Sequence, residues 1–171
     1  MAKIITQRSH RPATLADLPR IVDIYNSTIP SRQVTGDLEP IPTDSRLHWL
    51  QSHQSDTRPL WVAEANAQVV AWISFSDFYG RPAYCKTAEL SLYVDESVRR
   101  CGWGAYLLTQ AIAHAPALQV SRLLAFIFGH NEPSLKLFQK FEFEQWGYLP
   151  GVATLDQCDR DLVILGRAVK P

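Results

Sequence analysis

No run of about eighteen consecutive apolar residues occurs anywhere in the 171-residue chain, so the sequence predicts no membrane-spanning helix. Charge of a single sign is equally scarce. Seventeen basic residues balance seventeen acidic ones, which leaves no net field to draw in nucleic acid or an anionic membrane, and a small-molecule partner is favoured. Cysteine is sparse too: Cys85, Cys101 and Cys158 are odd in number and lack Cys-x-x-Cys spacing. That argues against a disulfide framework and a zinc site, and makes a reducing cytoplasm the default compartment. His10, His48, His53, His114 and His130 have no metal-ligand spacing, so no metal is expected; His130 is the one worth mutating, because it adjoins Asn131. Lys3 beside Met1 and the polar stretch from Thr6 to His10 do not read as a signal peptide. With no repeat, low-complexity tract or linker, the length and the 46% hydrophobic content predict one domain spanning residues 1–171.

What is present is a change of hydrophobic period along the chain. Leu18, Ile21, Val22, Ile24 and Tyr25 have helical spacing, with Thr14 or Asp17 as the N-cap, and Thr43 or Asp44 can cap a second helix through Leu47, Trp49 and Leu50. The pattern then alternates. Pro59 to Glu64, Val69 to Phe78 and Ala88 to Val94 read as strands, the first two joined by a turn at Ala65 to Gln68. A helix from Trp103 to Ala115, a strand from Leu123 to Phe128 and a short helix from Glu132 to Phe141 follow, and Phe143 to Tyr148 and Leu162 to Leu165 can add final strands. Strand, helix, strand in that order implies one parallel β-α-β crossover in an α/β (α+β) domain.

Between the strand ending at Val94 and the helix opening at Trp103 lies Arg-Arg-Cys-Gly-Trp-Gly, residues 99–104. Two glycines there let successive N–H groups converge on an anion with the helix dipole behind them, and a pyrophosphate would fit. An ordinary strand-to-helix turn carrying a solvated arginine pair has the same pattern. A dinucleotide fingerprint fits less well, because Leu107 stands where the third glycine belongs. Alternation in the preceding strand sets Glu89, Ser91 and Tyr93 on one face and Ala88, Leu90, Leu92 and Val94 on the other. A carboxylate in an apolar strand needs either a task or a partner, so Glu89 is a general base or half of an ion pair with an arginine.

The run from Tyr93 to Leu108 resembles the acetyl-CoA motif of the GCN5-related N-acetyltransferase (GNAT) superfamily. More narrowly, Phe78, Arg81, Ala83, Tyr84, Thr87, Ala88, Glu89, Tyr93 and Val94 resemble the FxxRxAYxxTAExxxYV stretch of phosphinothricin and methionine sulfoximine acetyltransferases. Asp17-Leu18-Pro19 through Asn26 is similar to their opening helix, and Asn131 to Ser134 to their Asn-x-x-Ser element. The ending departs: Leu149-Pro150-Gly151-Val152 and Arg160-Asp161-Leu162 replace the family's Lys-Phe-Gly-Arg-Trp-like close.

The resemblance implies the GNAT fold, a mixed, partly splayed sheet flanked by helices, and a homodimer. It implies acetyl-CoA as co-substrate, its pantetheine on the main chain of Leu92, Tyr93 and Val94 and its pyrophosphate over Arg99, Arg100, Cys101, Gly102, Trp103, Gly104 and Ala105, with Gly102 and Gly104 permitting positive φ and close approach. The family often has glycine at Arg100 and lysine at Cys101. Asn131 and Ser134 would hydrogen-bond the CoA arm, although Asn131 also suits a plain helix cap. Glu89 would be the general base for the primary amine of a small amino-acid-like acceptor, which attacks the thioester directly without an acyl-enzyme. Phe78, Tyr79, Arg81 and Tyr84 would contact that acceptor, Arg81 through its carboxylate or phosphinate. Phe138 stands where many relatives carry a tyrosine general acid, leaving proton delivery to the thiolate to water. Two rival activities share these residues: acetylation of a protein N-terminus, lysine or polyamine, and CoA sensing without turnover.

Overall fold

The computed structural model describes residues 8–53 and 56–170. Strands β1 (Ser9–Pro12), β2 (Leu60–Ala65), β3 (Gln68–Asp77), β4 (Thr87–Val94), β5 (Arg122–Phe128), β6 (Glu144–Leu155) and β7 (Cys158–Ala168) form one seven-stranded sheet in the order β1-β2-β3-β4-β5-β7-β6. Every neighbouring pair is antiparallel except β4 with β5, the expected crossover. Helices α1 (Leu18–Thr28) and α2 (Leu47–Ser52) cover one face; α3 (Trp103–His114) and α4 (Glu132–Lys140) cover the other. Two apolar clusters result. Leu107, Leu108 and Ala111 of α3 pack with Ile73, Phe75, Leu90 and Leu123 on one side, and Ile21, Ile24 and Tyr25 of α1 pack with Val62 and Trp72 on the other.

The local chemistry explains the element boundaries. Asn66 and Ala67 both have positive φ, the backbone of a tight turn whose twist matches that of the β2–β3 hairpin. Ahead of α1, Asp17 accepts from the Thr14 N–H at 2.7 Å and from both terminal nitrogens of Arg11, so both expected capping residues act there. Three boundaries differ from the sequence reading. Thr43–Arg46 is a 3₁₀ turn, and α2 starts only at Leu47. Ser9–Pro12 is a strand on β2, although its polar side chains gave no alternation. The last two strands are far longer than expected, because register shifts at Gln145/Gly147 and Leu149/Ala153 absorb the glycines and proline that seemed to interrupt them. Lys3 and Thr6, used in reading the N-terminus, lie outside the described residues.

Candidate functional site

β4 and β5 pair at only three positions, Thr87–Arg122, Ala88–Leu123 and Glu89–Leu124. Beyond them β4 continues along β3 to the Val94–Ala71 pair, and β5 continues along β7 to Phe128–Leu162, so the sheet opens into a wedge. The edge of β4 from Leu90 onward therefore has no strand partner on its β5 side. A cavity of about 50 Å³ occupies the wedge, with Leu92, Tyr93, Asn131, Ser134 and Phe138 among its walls. An extended molecule laid there would meet free backbone groups, as an added strand does.

At the far end of β4 the loop into α3 curls back on itself. Arg100 (φ +61°) and Gly102 (φ +81°) both take left-handed backbone, and no side chain caps α3. The N–H groups of Trp103, Gly104 and Ala105 thus lack intrahelical partners, and together with the left-handed residues they make a nest for an anion. One expectation about this loop needs correction. Gly104 does not have positive φ; it is glycine because an added Cβ would stand 3.0 Å from Leu137 Cδ2 and 3.6 Å from Leu92 Cδ2, so it brings α3 close to β4 and α4. The Trp103 indole is 1% exposed in the core, which leaves only its main chain facing the loop. The left-handed backbone at Arg100 explains why glycine would be at home there. Arg99 is held by Glu96 at 3.0 Å, while Arg8 donates to the Cys101 carbonyl at 2.6 Å and brings a third cation to the loop. Nothing in the sequence marks Arg8, because its partner lies 93 residues away.

The alternation along β4 is as expected. Ala88, Leu90, Leu92 and Val94 face the α3 cluster, and Tyr93 faces α1, stacked on Trp72 at 4.4 Å. Glu89 sits at the last paired position before the wedge, opposite Ser76 on β3 and Leu124 on β5. Among the described residues no arginine or lysine pairs with it, so the ion-pair alternative falls. Burial pushes its carboxyl above the ordinary carboxylate value.

The β3–β4 loop gathers aromatics nearby. Phe78 lies 5.6 Å from both Tyr79 and Tyr84 and stacks on Phe126 of β5, whose own side chain lines the wedge. The sequence does not single out Phe126 within its strand, since an apolar strand does not say which residues border a gap. Tyr79 and Arg81 are exposed, with left-handed backbone at Tyr79 and Gly80. Asn131 is 5% exposed; its Oδ1 caps α4 through the Ser134 N–H at 3.3 Å, the plain helix-cap role, and the residue also lines the wedge. His130 hydrogen-bonds the Arg32 carbonyl at 2.7 Å, the routine outcome. A second cavity, about 140 Å³, lies on the α1/α2 face and shares Ser91 and Tyr93 with the wedge. Cys85, Cys101 and Cys158 are free and exposed. Among the described residues no three metal-ligating side chains gather, and no helix is long and apolar enough to cross a membrane.

The sheet that carries this slot has counterparts among known proteins. Residues 19–143 match the profile of the Acetyltransferase (GNAT) family. The chain belongs to the GNAT acetyltransferases. It is 55% identical to the phosphinothricin acetyltransferase-like protein YwnH of Bacillus subtilis (strain 168), over 92% of this chain and 96% of that one. It is 30% identical to the L-methionine sulfoximine/L-methionine sulfone acetyltransferase of Pseudomonas paraeruginosa (strain DSM 24068 / PA7), over 84% of each. The acetyltransferase-like yncA of Salmonella typhimurium, solved with its cofactor acetyl-CoA, superposes with a TM-score of 0.88 at 26% identity, covering 95% of this chain and 94% of that one. This GNAT chain is thus an acetyltransferase, and its mixed sheet with one parallel pair is the fold its sequence resembled.

Proposed function

We propose that this enzyme transfers the acetyl group of acetyl-CoA to the primary amine of a small amino-acid-like acceptor of the phosphinothricin or methionine sulfoximine kind. The observation that carries the reading is the wedge: a free β4 edge ending at an N–H nest on one side and at Glu89 on the other. The naming of the relatives supports the acceptor class.

Acetyl-CoA supplies an activated thioester when bound. The main chain of Leu92, Tyr93 and Val94 holds its pantetheine, and the loop from Arg99 to Ala105, with Arg8, holds its pyrophosphate. Asn131 and Ser134 border the arm. The acceptor enters as an ammonium with a pKa of about 8. Glu89, raised by burial, takes the proton directly or through a water, and the freed amine forms its bond to the acetyl carbon as the carbon–sulfur bond breaks. The departing thiolate takes, relayed through water, the proton that the nitrogen sheds on becoming an amide, because the tyrosine of many relatives is here Phe138, packed edge-on against Phe143. Phe78, Tyr79 and Tyr84 wall the acceptor side, and the exposed Arg81 of the same loop meets the acceptor's carboxylate or phosphinate.

Residues 1–171 act as one domain. A homodimer fits the chain as well: Trp146, Tyr148, Leu149 and Val152 are exposed on the edge strand β6, a surface a second copy would cover. The three free thiols suit the cytoplasm. Thiol release from acetyl-CoA is the test, screened against amino acids, their sulfone, sulfoximine and phosphinate analogues, polyamines and short peptides. Turnover confined to the amino-acid analogues is expected. Turnover confined to polyamines or peptides overturns the acceptor class, and CoA binding with no turnover on any amine makes the protein a sensor.

A further inference from the structure

The β3–β4 loop from Phe78 to Lys86 carries Phe78, Tyr79, Arg81 and Tyr84, yet little holds its middle. Tyr79 and Gly80 take left-handed backbone, a Cβ added to Gly80 would meet nothing within 4 Å, and Tyr79, Arg81 and Tyr84 are all exposed. Its internal ties are few. The Tyr84 N–H donates to the Arg81 carbonyl at 2.9 Å, the Cys85 N–H donates to the Pro82 carbonyl at 3.2 Å, and the three rings touch one another. The place of such a loop is set from its two ends.

One side chain reaches both ends. Arg58, in the turn ahead of β2, donates from Nε to Asp77 Oδ1 at 2.7 Å and from Nη2 to the Cys85 carbonyl at 2.8 Å, while Nη1 donates to the Thr57 carbonyl at 2.9 Å. All three nitrogens are engaged, and the side chain is 13% exposed. Asp77 closes the β3–β4 register opposite Ala88, one pair from Glu89, so the grip lies next to the proposed base. The anchor is itself fixed. Pro59, the residue after Arg58, accepts from the Phe75 N–H at 2.9 Å, which extends the β2–β3 ladder one step beyond the Leu60–Ser74 pair. At the loop's exit the Lys86 carbonyl accepts from the N–H groups of Ser121 and Arg122 at 2.9 and 3.1 Å. A planar fork that bridges a carboxylate and a carbonyl sets direction as well as distance. Because Asp77 is 63% exposed, the ion pair adds little stability; it sets the span of the loop's base.

The geometry points to Arg58 as a positioning residue for acceptor recognition: it clasps the two ends of the β3–β4 loop at one spacing, so that Arg81 and the aromatic cluster keep one place relative to Glu89. The inference rests on the acceptor contacts proposed above for this loop and adds the residue that fixes them.

Wild type, Arg58→Met, Arg58→Lys, Asp77→Ala and Arg81→Gln are compared by thiol-release kinetics with L-methionine sulfone and its decarboxylated amine, by calorimetry with CoA alone, and by melting. Arg58→Met keeps the apolar stem and removes the fork. It is expected to lower kcat/KM for the sulfone about 10- to 100-fold, mainly through KM, and to shrink the preference for the sulfone over the amine, with CoA affinity and Tm close to wild type. Arg58→Lys should recover only part, because a point donor cannot serve both ends of the loop, and Asp77→Ala should fall between wild type and Arg58→Met. If Arg58→Met does not fold, Arg58→Lys and Asp77→Ala decide on the same ratio. Wild-type kinetics in the Arg58 and Asp77 variants, with Arg81→Gln losing selectivity, overturns the inference and leaves the acceptor reading standing. Loss of CoA affinity or Tm in proportion to the lost activity makes Arg58 merely structural and also overturns it. Transfer by the wild type to neither probe, or a sulfone-to-amine ratio that neither Arg81→Gln nor Arg58→Met changes, overturns the acceptor reading itself, and this inference with it.

Discussion

Replacing Glu89 by glutamine keeps the side chain's size and its place between Ser76 and Leu124 but removes the group that takes the proton. Positioned general bases contribute about 10²- to 10⁴-fold, so kcat should fall by about that factor, or roughly 3–5 kcal/mol of barrier, with little change in CoA affinity. The pH profile should change with it. In the wild type, kcat/KM climbs as Glu89 loses its proton, and because burial raises that carboxyl the limb lies above the ordinary carboxylate range. In Glu89→Gln this limb disappears. Stability supplies an independent check with the opposite sign. A folded-state pKa above the unfolded one means that the stability of the protonated form is fully present below the unfolded value and is lost as pH rises through the folded value. Glutamine carries no such loss, so the variant should melt at or above the wild-type Tm at pH 8, and the difference should vanish on acidification below the carboxylate range. Thiol-release kinetics from pH 5 to pH 9 measure the first, and melting curves carried from pH 8 down below the carboxylate range measure the second. A variant that keeps wild-type kcat, or that loses activity and Tm together, refutes the assignment of Glu89 as an unpaired, desolvated base.

At the phosphate nest, Gly102→Ala forces a side chain onto φ +81° and sets a Cβ 2.9 Å from Arg8 Nη2; strain of about 1–2 kcal/mol should weaken CoA binding several-fold in calorimetry. Gly104→Val instead drives a branched side chain into Leu137 and Leu92, and about 1–3 kcal/mol of overpacking should lower Tm by roughly 3–10 °C. Asp17 is held down to about 2, chiefly by Arg11, against an ordinary 3.8. Its contribution is present above the unfolded value and is lost as pH falls toward 2. Since Arg11 is 39% exposed and partly screened, Asp17→Asn should cost about 1–2 kcal/mol at pH 7 and only a small fraction of that at pH 2, read from urea melts at the two pH values. CoA should raise Tm: at about 100 times Kd the gain is about 2.7 kcal/mol, roughly 5–10 °C for a chain of this size, and no shift would count against the nest.

The strands that build the site were legible because β3 and β5 are buried on both faces and are therefore apolar almost throughout, β4 alternates, and α1 carries its apolar stripe at helical spacing. Glu89 stood out as an acid inside such a strand. The left-handed glycine was readable at Gly102 but misread at Gly104, since a glycine kept for close packing and one kept for its φ look the same in sequence. Arg8 and Phe126 were missed for a common reason: their significance comes from neighbours far away in the chain. Cys101 and Gly102 give Arg8 its place, and Phe78 stacks on Phe126, which lines the wedge. Strand β1 left no trace because its four residues are held by pairing with β2, and backbone pairing has no side-chain signature.

One property of the sheet joins these observations. β4 is committed to β3 over seven residue pairs and β5 to β7 over seven more, but the two halves share only three. Each half is a locally satisfied antiparallel ribbon with its own twist, so divergence at the single parallel seam leaves the other ladders intact. The orphaned backbone groups then fall on one short edge of β4, between Glu89 and the loop into α3. Because β4 alternates, its α3-facing residues anchor that edge in the core while Glu89, Ser91 and Tyr93 share the opposite face, the side of α1 and α2. Slipping β4 by one residue would exchange the two faces, burying Glu89 in the apolar cluster and exposing Leu90 to the cavity. The core packing that fixes the register of β4 is thus the same packing that aims its carboxyl.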